Sequence, residues 1–138
     1  DGSIMLNVRS DRQRFRGVAV TTDLGQTWSP HPTSDEVLEE PNCNGSLLAL
    51  PSRGGRRLLL FANPLSQKQR SHQTIRVSDD DGMTWPAERR ILLDEGRGRG
   101  YPSLARVGAD RVGIVYEGSR ADVVFQVVPV SDLEGAAP

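Results

Sequence analysis

The sequence predicts an all-β protein built from β-propeller blades, and two observations support this fold class. Short runs rich in β-branched residues recur along the 138 residues, separated by Gly, Pro, Asn and Asp, as is typical of strands and turns. An eight-residue pattern also occurs twice, and its tryptophans, Trp28 and Trp85, lie 57 residues apart. A repeat period of about 50 residues indicates propeller blades. No segment has a helical hydrophobic period over three turns.

The strands are predicted from these runs in chain order. Val107–Arg111 has the length and the Gly-Ala-Asp centre of a tight hairpin between two of them. A tenth segment, Val37–Glu40, has a weaker strand pattern than the other nine. The nine predicted strands are Ile4–Arg9, Phe15–Thr21, Ser46–Leu50, Arg57–Ala62, Thr74–Ser78, Arg89–Leu93, Ser103–Val107, Arg111–Glu117 and Val123–Val130.

The predicted strands group into about three four-stranded blades, near residues 1–40, 41–95 and 96–132. The middle blade is complete. The first lacks its first strand, which would precede Asp1, and the last has three strands, as expected if the ring closes with an N-terminal strand. Since the chain also opens on a turn-forming Asp-Gly pair without Met, we expect the whole chain to be the C-terminal part of a longer propeller.

The repeated pattern is [S/T]-x-D-x-G-x-T-W, at residues 21–28 and 78–85. Its aspartate is expected to accept backbone N–H bonds across a hairpin, its glycine to take a turn position with positive φ, and its tryptophan to pack underneath. The pattern therefore predicts architecture rather than chemistry. Its structural residues are Asp23, Gly25, Trp28, Asp80, Gly82 and Trp85.

Composition excludes several classes of protein. The 17 basic and 18 acidic residues give a net charge of −1, which argues against a dedicated nucleic-acid-binding protein. No apolar run reaches the roughly 18 residues that a membrane-spanning helix needs, and the single cysteine excludes an internal disulfide and a Cys-rich zinc site. Of the 17 basic residues 16 are arginine, which fits both codon bias and arginines that bind a carboxylate bidentately.

Two further motifs resemble binding loops but lack the structural context of such loops. Asp79–Gly82 is similar to a calcium loop, but Val77 stands at a ligand position and no flanking helices are predicted, so no metal site is expected. Gly96–Gly100 is similar to a dinucleotide loop or an RGG segment, yet no helix follows it. We predict a mobile surface loop there, and no cofactor.

The usual nucleophiles and bases form no catalytic set in this sequence. His31 and His72 are predicted in surface loops, and Cys43 is predicted to be a packed thiol because no basic residue lies close to it in sequence. An acidic cluster is predicted to form a solvated face; its members are Asp35, Glu36, Glu39 and Glu40.

Four residues beside strands that should face the propeller axis are the candidates for chemistry. Arg9 ends the segment Leu-Asn-Val-Arg, and Arg70 follows a Phe-Ala-Asn-Pro strand. Tyr101 opens Tyr-Pro-Ser-Leu, and Glu117 closes Val-Tyr-Glu. Each of them alone is more typical of a structural role.

Taken in order, these segments resemble a known family. The repeat is similar to the Asp-box, or BNR repeat, of sialidases, and the order resembles the C-terminal half of exo-α-sialidases (neuraminidases). In that family an arginine in an L-N-x-R-S segment precedes a first Asp-box. A C-x-G-S segment comes next, followed by an arginine after [F/Y]-x-[N/H]-P. A second Asp-box, an [A/G]-Y-S-x-L segment and [L/V]-Y-E complete the order. Asp-boxes also occur in many non-enzymatic propellers, so the ordered set of Arg9, Arg70, Tyr101 and Glu117 is the more specific part of the resemblance.

The resemblance implies a six-bladed propeller and a glycosidase that removes terminal sialic acids from glycoconjugates with retention of configuration. Arg9 and Arg70 would belong to an arginine triad that holds the sialic-acid carboxylate, which suits guanidinium forks. Tyr101 would be the nucleophile, an exception to the usual carboxylate of retaining glycosidases. A neutral phenol is not repelled by the carboxylate on the anomeric carbon. Glu117 would orient the first arginine of the triad.

The sequence departs from the family at Pro102, where serine is usual, and this change would alter how Tyr101 is presented. In the family, the first triad arginine, the acid/base aspartate and the glutamate that activates tyrosine lie upstream of these motifs. We therefore expect the 138-residue chain to be inactive alone and to need the N-terminal blades of the same protein. Secretion or a periplasmic location is implied by the family alone.

Two alternatives stay open on the sequence. The first is a non-catalytic Asp-box propeller that binds glycans or proteins. The second is a related glycosidase, or a lyase that cleaves sialic acid, which reuses the arginines and the tyrosine. Turnover of a fluorogenic sialoside by the full-length protein would distinguish an enzyme from a binding module.

Overall fold

The computed structural model describes residues 2–10, 14–51 and 57–134. Asp1, on which the expected hairpin opening rests, lies outside the described residues. The described strands form three antiparallel sheets that follow one another along the chain. The predicted all-β fold class is confirmed.

Each sheet is made of consecutive strands. The first has the order β1 (Ile4–Val8), β2 (Gly17–Thr21), β3 (Ser29–Pro30). The second has the order β4 (Ser46–Pro51), β5 (Arg57–Pro64), β6 (Ser71–Ser78), β7 (Arg90–Arg97), with a 3-10 turn at Ala87–Arg89 before β7. The third consists of β8 (Gly100–Arg106), β9 (Arg111–Glu117) and β10 (Val123–Pro129), followed by the short helix α1 (Val130–Glu134).

Some sequence predictions about these elements differ from the structure. Val37–Glu40 is not a strand, and its only ladder contact among the described residues is an isolated bridge between Phe15 and Glu39. The third strand of the first sheet is instead β3, whose two residues are too short to produce a sequence pattern. The chain also ends its last strand one residue early, because Val130 begins α1. Within the described residues, no helix has the length and apolar character to cross a membrane.

The second sheet lies between the other two and shares a hydrophobic core with each. On one side Leu60 and Ile75, both fully buried, belong to the same cluster as Val112 and Ile114 of the third sheet. On the other side Val18, Leu38, Phe61 and Trp85 form a smaller cluster with the first sheet. Strands buried on both faces read as continuous apolar runs, which explains the Leu-Leu-Leu-Phe sequence within β5.

Both Asp-boxes form the predicted turn. Asp23 accepts hydrogen bonds from the backbone N–H of Thr27 at 2.9 Å and from its hydroxyl at 2.7 Å. Asp80 accepts the same two bonds from Thr84, at 2.9 and 2.6 Å. The hydroxyl of Thr21 donates to Asp23 as well, and together these bonds hold the pKa of Asp23 well below its usual range.

The glycines of the Asp-boxes adopt the predicted positive φ, but the tryptophans differ in burial. Gly25 and Gly82 have φ of 92° and 86°, and the carbonyl of each accepts a hydrogen bond from the indole N–H three residues later, at 3.1 Å. Trp85 is buried and packs edge-on against Phe61, with ring centroids 6.2 Å apart. Trp28 also packs under its own turn, with its indole beside Gly25, but it is 42% exposed in this chain.

Candidate active site

Tyr101 lies in a β-bulge at the start of β8. Gly100 pairs with Glu117 and Ser103 pairs with Val115, so β8 has one residue more than β9 between these pairs. Tyr101 has a φ of 49°, a left-handed conformation that non-glycine residues seldom adopt. Its side chain is 39% exposed, so the bulge presents the phenol to solvent.

Pro102 occupies the other position of the bulge and is buried. Proline has no N–H to donate, and within sheets it is confined to edges and bulges. The bulge is therefore a place where proline can replace a residue with an N–H without breaking the ladder of hydrogen bonds.

Arg70 contacts Tyr101 directly. Its Nη1 donates a hydrogen bond to the phenol oxygen at 3.2 Å, and its guanidinium carbon lies 5.1 Å from the centre of the phenol ring. Its Nη2 donates to the carbonyl of Asn42 at 2.9 Å. Burial lowers the pKa of Arg70, but the hydrogen bond to Tyr101 and the charge of Glu117 are among the influences that outweigh burial and raise it. Arg70 therefore stays cationic beside the phenol.

Glu117 is the third member of this group. It ends β9 opposite Gly100, and it lines a small cavity together with Arg70. Its side chain is exposed. The structure thus brings together three of the four residues that the sequence singled out.

Arg9 is carried by the first sheet, whereas Tyr101 and Glu117 belong to the third. It directly follows β1 and is exposed. Its neighbour Ser10 donates its backbone N–H to Glu40 Oε1 at 3.0 Å, which ties the end of β1 to the segment that precedes the second sheet.

Glu40 is buried, so the prediction that it belongs to a solvated face is wrong. Its Oε2 accepts hydrogen bonds from the backbone N–H of Cys43 at 3.0 Å and from Arg16 Nη1 at 3.2 Å. Its Oε1 accepts the bond from Ser10. Arg16 and Glu40 form an ion pair whose side chains are 4% and 0% exposed. Glu36 is exposed as predicted. A carboxylate with three donors can be buried because each donor offsets part of its desolvation.

Two buried arginines surround Phe61, and sequence reasoning missed both. The guanidinium carbons of Arg16 and Arg76 lie 5.5 and 5.4 Å from the centre of the Phe61 ring, a distance suited to cation–π contact. Arg76 also donates to Asn63 Oδ1 at 2.8 Å. Burial, with a smaller contribution from the positive charge of Arg90, lowers the pKa of Arg76 to about 9. The excess of arginine over lysine was the one sequence signal for this cluster.

The Glu40–Cys43 segment contacts residues beside Arg9 and Tyr101 and contacts Arg70 directly. Glu40 holds Ser10 beside Arg9, and the carbonyl of Asn42 holds Arg70. Cys43 is fully buried, as predicted, and its thiol donates to the carbonyl of Arg99 at 3.4 Å. A Cβ on Gly100 would lie 2.8 Å from this sulfur, so the thiol packs against the residue that precedes Tyr101.

The prediction of a mobile loop at Gly96–Gly100 is wrong. Strand β7 extends to Arg97 and β8 begins at Gly100, which leaves a two-residue connection. The N–H of Gly98 donates to the carbonyl of Arg70 at 2.9 Å, and a Cβ on Gly98 would lie 2.9 Å from the carbonyl oxygen of Glu117. The glycine allows this close approach of backbones.

Neither histidine belongs to a catalytic set. His31 is half-buried in a loop, and its Nδ1 lies 2.8 Å from the hydroxyl of Thr33. His72 is exposed, but it lies within β6 rather than in a loop. In the part of the chain that the structure describes, no three His, Cys, Asp or Glu residues are arranged to hold a metal ion. Asp79 of the calcium-like motif is instead paired with Arg89 at 2.9 Å.

Comparisons with known proteins agree on the family. The model of the BNR repeat-like domain matches residues 1–115. A sialidase of Bacteroides fragilis is 42% identical over 135 residues, covering 96% of this chain and 25% of that protein. A sialidase of Micromonospora viridifaciens is 38% identical over 123 residues, covering 85% of this chain and 18% of that protein. This chain thus spans about a quarter or less of these relatives.

A solved structure supports the same conclusion. The Hadza microbial sialidase Hz136 is 42% identical, with a TM-score of 0.87 over 94% of this chain and 26% of its own. The three consecutive antiparallel sheets therefore correspond to part of a sialidase β-propeller. On the match of the family model and on these identities, the chain belongs to the sialidase family with BNR repeats.

Proposed function

We propose that the protein containing this chain is a retaining exo-α-sialidase that hydrolyses terminal sialic acids from glycoconjugates, with Tyr101 as its nucleophile. The observation that supports this most is the contact between Arg70 and Tyr101, made on a bulge that exposes the phenol. Bulges and left-handed residues are common beside active sites, where they redirect a side chain.

In the first step, the oxygen of Tyr101 attacks the anomeric carbon of the sialoside. The bond from that carbon to the aglycone oxygen breaks, and the aglycone takes a proton from an acid outside this chain. The phenol proton passes to a base that also lies outside it. Water then attacks the same carbon and gives a proton to the group that protonated the aglycone, while the bond to Tyr101 breaks and the phenolate takes its proton back from the base. The two inversions give net retention.

The arginines act on the carboxylate of the substrate. Arg70 is a cation fixed by the carbonyl of Asn42, and Arg9 is exposed beside Ser10, whose backbone N–H donates to Glu40. A guanidinium offers parallel N–H donors to a carboxylate. Glu117, which lies beside Arg70, would orient the first arginine of the triad.

Further blades of the same protein are the partner that this chain would require. The outer face of β1 exposes Ile4, Leu6 and Val8, each at 45–46%. The outer face of β10 exposes Val123, Phe125 and Val127. A six-bladed ring would cover both faces with neighbouring blades, as apolar surfaces of this kind require.

Replacing Tyr101 with phenylalanine in the full-length protein tests the proposal. Turnover of an activated sialoside should fall at least a thousandfold, an order-of-magnitude expectation for loss of a nucleophile. Tyr116→Phe is the matched control, because its hydroxyl makes only a 3.4 Å bond to Gln126. A fluorinated sialic acid that accumulates the intermediate should add its mass to the peptide that contains Tyr101.

Near-normal turnover by Tyr101→Phe would show that Tyr101 is not the nucleophile. Binding of sialosides by the wild-type protein without any turnover would instead favour a non-catalytic Asp-box propeller.

A further inference from the structure

The Gly96–Gly100 segment carries two arginines that the mechanism does not use. Arg97 and Arg99 are exposed, and they line a cleft of about 690 Å³ beside Arg70. Lys68 lines the same cleft. Four cationic side chains therefore face one open space next to the contact between Arg70 and Tyr101.

No acidic side chain is among the described residues that line this cleft. Glu117 and Asp122 line an adjoining cavity that Arg99 also borders, and the carboxylate of Asp94 accepts bonds from the backbone N–H groups of Gly96 and Ser119. The described part of the chain places no Asp or Glu within ion-pair distance of Arg97 or Arg99. The cleft is thus a concentrated positive site, which attracts anionic ligands.

The backbone that carries these arginines is held in place. Gly98 donates to the carbonyl of Arg70, and the carbonyl of Arg99 accepts bonds from Arg70 Nη1 and from the Cys43 thiol, both at 3.4 Å. A Cβ on Gly98 would also lie 2.9 Å from the backbone of Gly118. The positions of Arg97 and Arg99 are therefore fixed relative to Arg70.

We propose that this cleft binds a second anionic group of the glycan, carried by the sugar to which the terminal sialic acid is attached. The inference rests on the proposed function, since it takes Arg70 to hold the carboxylate of the terminal sugar. A ligand with a carboxylate or a sulfate one residue away would place its second charge in the cleft. Arg97 and Arg99 suit such groups because a guanidinium binds planar oxyanions with paired donors.

The test compares three substrates of the full-length protein. One carries sialic acid on a neutral galactose, the second carries it on another sialic acid, and the third carries it on a sulfated galactose. Because the linkages differ, the quantity compared is the change in kcat/KM that each variant causes on each substrate.

Arg97→Gln and Arg99→Gln should each lower kcat/KM about three- to fivefold on an anionic substrate, the effect of losing one exposed ion pair. They should leave the neutral substrate unchanged. The loss should shrink in 0.5 M salt, where exposed charges are screened. A loss on the substrate with two sialic acids would show that the second group is a carboxylate. A loss on the sulfated substrate would show that it is a sulfate.

Arg111→Gln is the matched control, because it removes an exposed arginine at the opposite end of β9, where its partner is Asp110. It should leave kcat/KM unchanged on all three substrates. Equal losses on neutral and anionic substrates, or no loss on either, would overturn the second anion site while leaving the proposed function intact. Absence of hydrolysis of the neutral substrate by the wild type would overturn the proposed function, and this inference with it.

Discussion

The guanidinium of Arg70 both anchors itself to the backbone and contacts Tyr101. In this chain the guanidinium is shared among the phenol oxygen and the carbonyls of Asn42 and Arg99. The carbonyls hold the arginine in place, and the bond to the phenol leaves it adjacent to the proposed nucleophile. A ligand carboxylate would therefore compete only for the donors that face solvent and Tyr101.

Arg70→Lys should weaken the binding of dehydrated sialic acid by the full-length protein about tenfold or more. An ammonium keeps the charge but cannot reproduce the paired donors or the stacking on the phenol ring. Isothermal titration gives the Kd directly. Arg111→Lys, at an exposed position far from the site, should bind like the wild type. Unchanged affinity in Arg70→Lys would contradict a carboxylate-binding role.

Glu40→Gln should destabilise the full-length protein by about 3 kcal/mol, because it leaves the charge of Arg16 buried without its partner. Urea unfolding measures the loss. Glu36→Gln, at an exposed acid of the same segment, should stay within about 0.5 kcal/mol of the wild type.

A double variant separates the ion pair from simple packing. If Glu40 acts through Arg16, the double variant Glu40→Gln with Arg16→Met should lose less free energy of unfolding than the sum of the losses in the two single variants. Strict additivity would show that the two side chains contribute independently.

At the scale of single elements, the Asp-boxes illustrate what sequence alone can predict. Their turns were predicted down to the hydrogen bonds of Asp23 and Asp80 because every partner lies within four residues. The difference in burial between the two tryptophans is not predictable from the repeat, since burial depends on which strand lies opposite. Phe61 covers Trp85.

Trp85→Ala should therefore cost about 3–5 kcal/mol of unfolding free energy, the usual loss for a large buried aromatic residue. Trp28→Ala should cost about 1 kcal/mol, because its indole is 42% exposed. The midpoints of thermal unfolding of the two full-length variants are compared with that of the wild type, so that each repeat is the control for the other. Equal losses would show that the first repeat is covered by another part of the protein.

The site was less predictable than the strands, for physical reasons. The burial of Glu40 is not predictable from its acidic neighbours because two of its three donors, Ser10 and Arg16, are 30 and 24 residues away in sequence. The Gly96–Gly100 segment has the composition of a loop, but its glycines serve close backbone contacts with Glu117 and Gly118 that only the folded chain reveals. The candidates Arg9, Arg70, Tyr101 and Glu117 came from family resemblance, since none has a local pattern that distinguishes it from a structural residue.

For the molecule as a whole, the two outer sheets each bury one face against the second sheet and expose the other. Residues of β10 alternate along the strand: Val124 and Val128 pack into the shared core, while Val123 and Phe125 are 74% and 61% exposed. Apolar residues on both faces of a strand indicate that both faces are covered in the working protein. The exposed apolar faces therefore fit the proposal that further blades cover the first and third sheets.

The 138-residue chain alone should neither hydrolyse sialosides nor remain monomeric. It carries two of the three proposed carboxylate-binding arginines, and the acid and the base of the proposed mechanism lie outside it. Its exposed faces on β1 and β10 can pair with other copies. Light scattering on the purified chain should show self-association that increases with concentration, and a fluorogenic sialoside should show no turnover. Adding the remaining blades as a separate chain should restore turnover.

Two variants test whether the exposed faces cause the association. Phe125→Ser should reduce it, because Phe125 lies at the centre of the apolar face of β10. Leu24→Ser is the matched control: Leu24 is 84% exposed, but it lies on the turn of the first Asp-box and belongs to neither β1 nor β10. Turnover by the isolated chain that disappears on Tyr101→Phe would contradict the need for other blades, since this chain would then hold a complete catalytic site. A monomeric chain at high concentration would show instead that the two faces do not need covering.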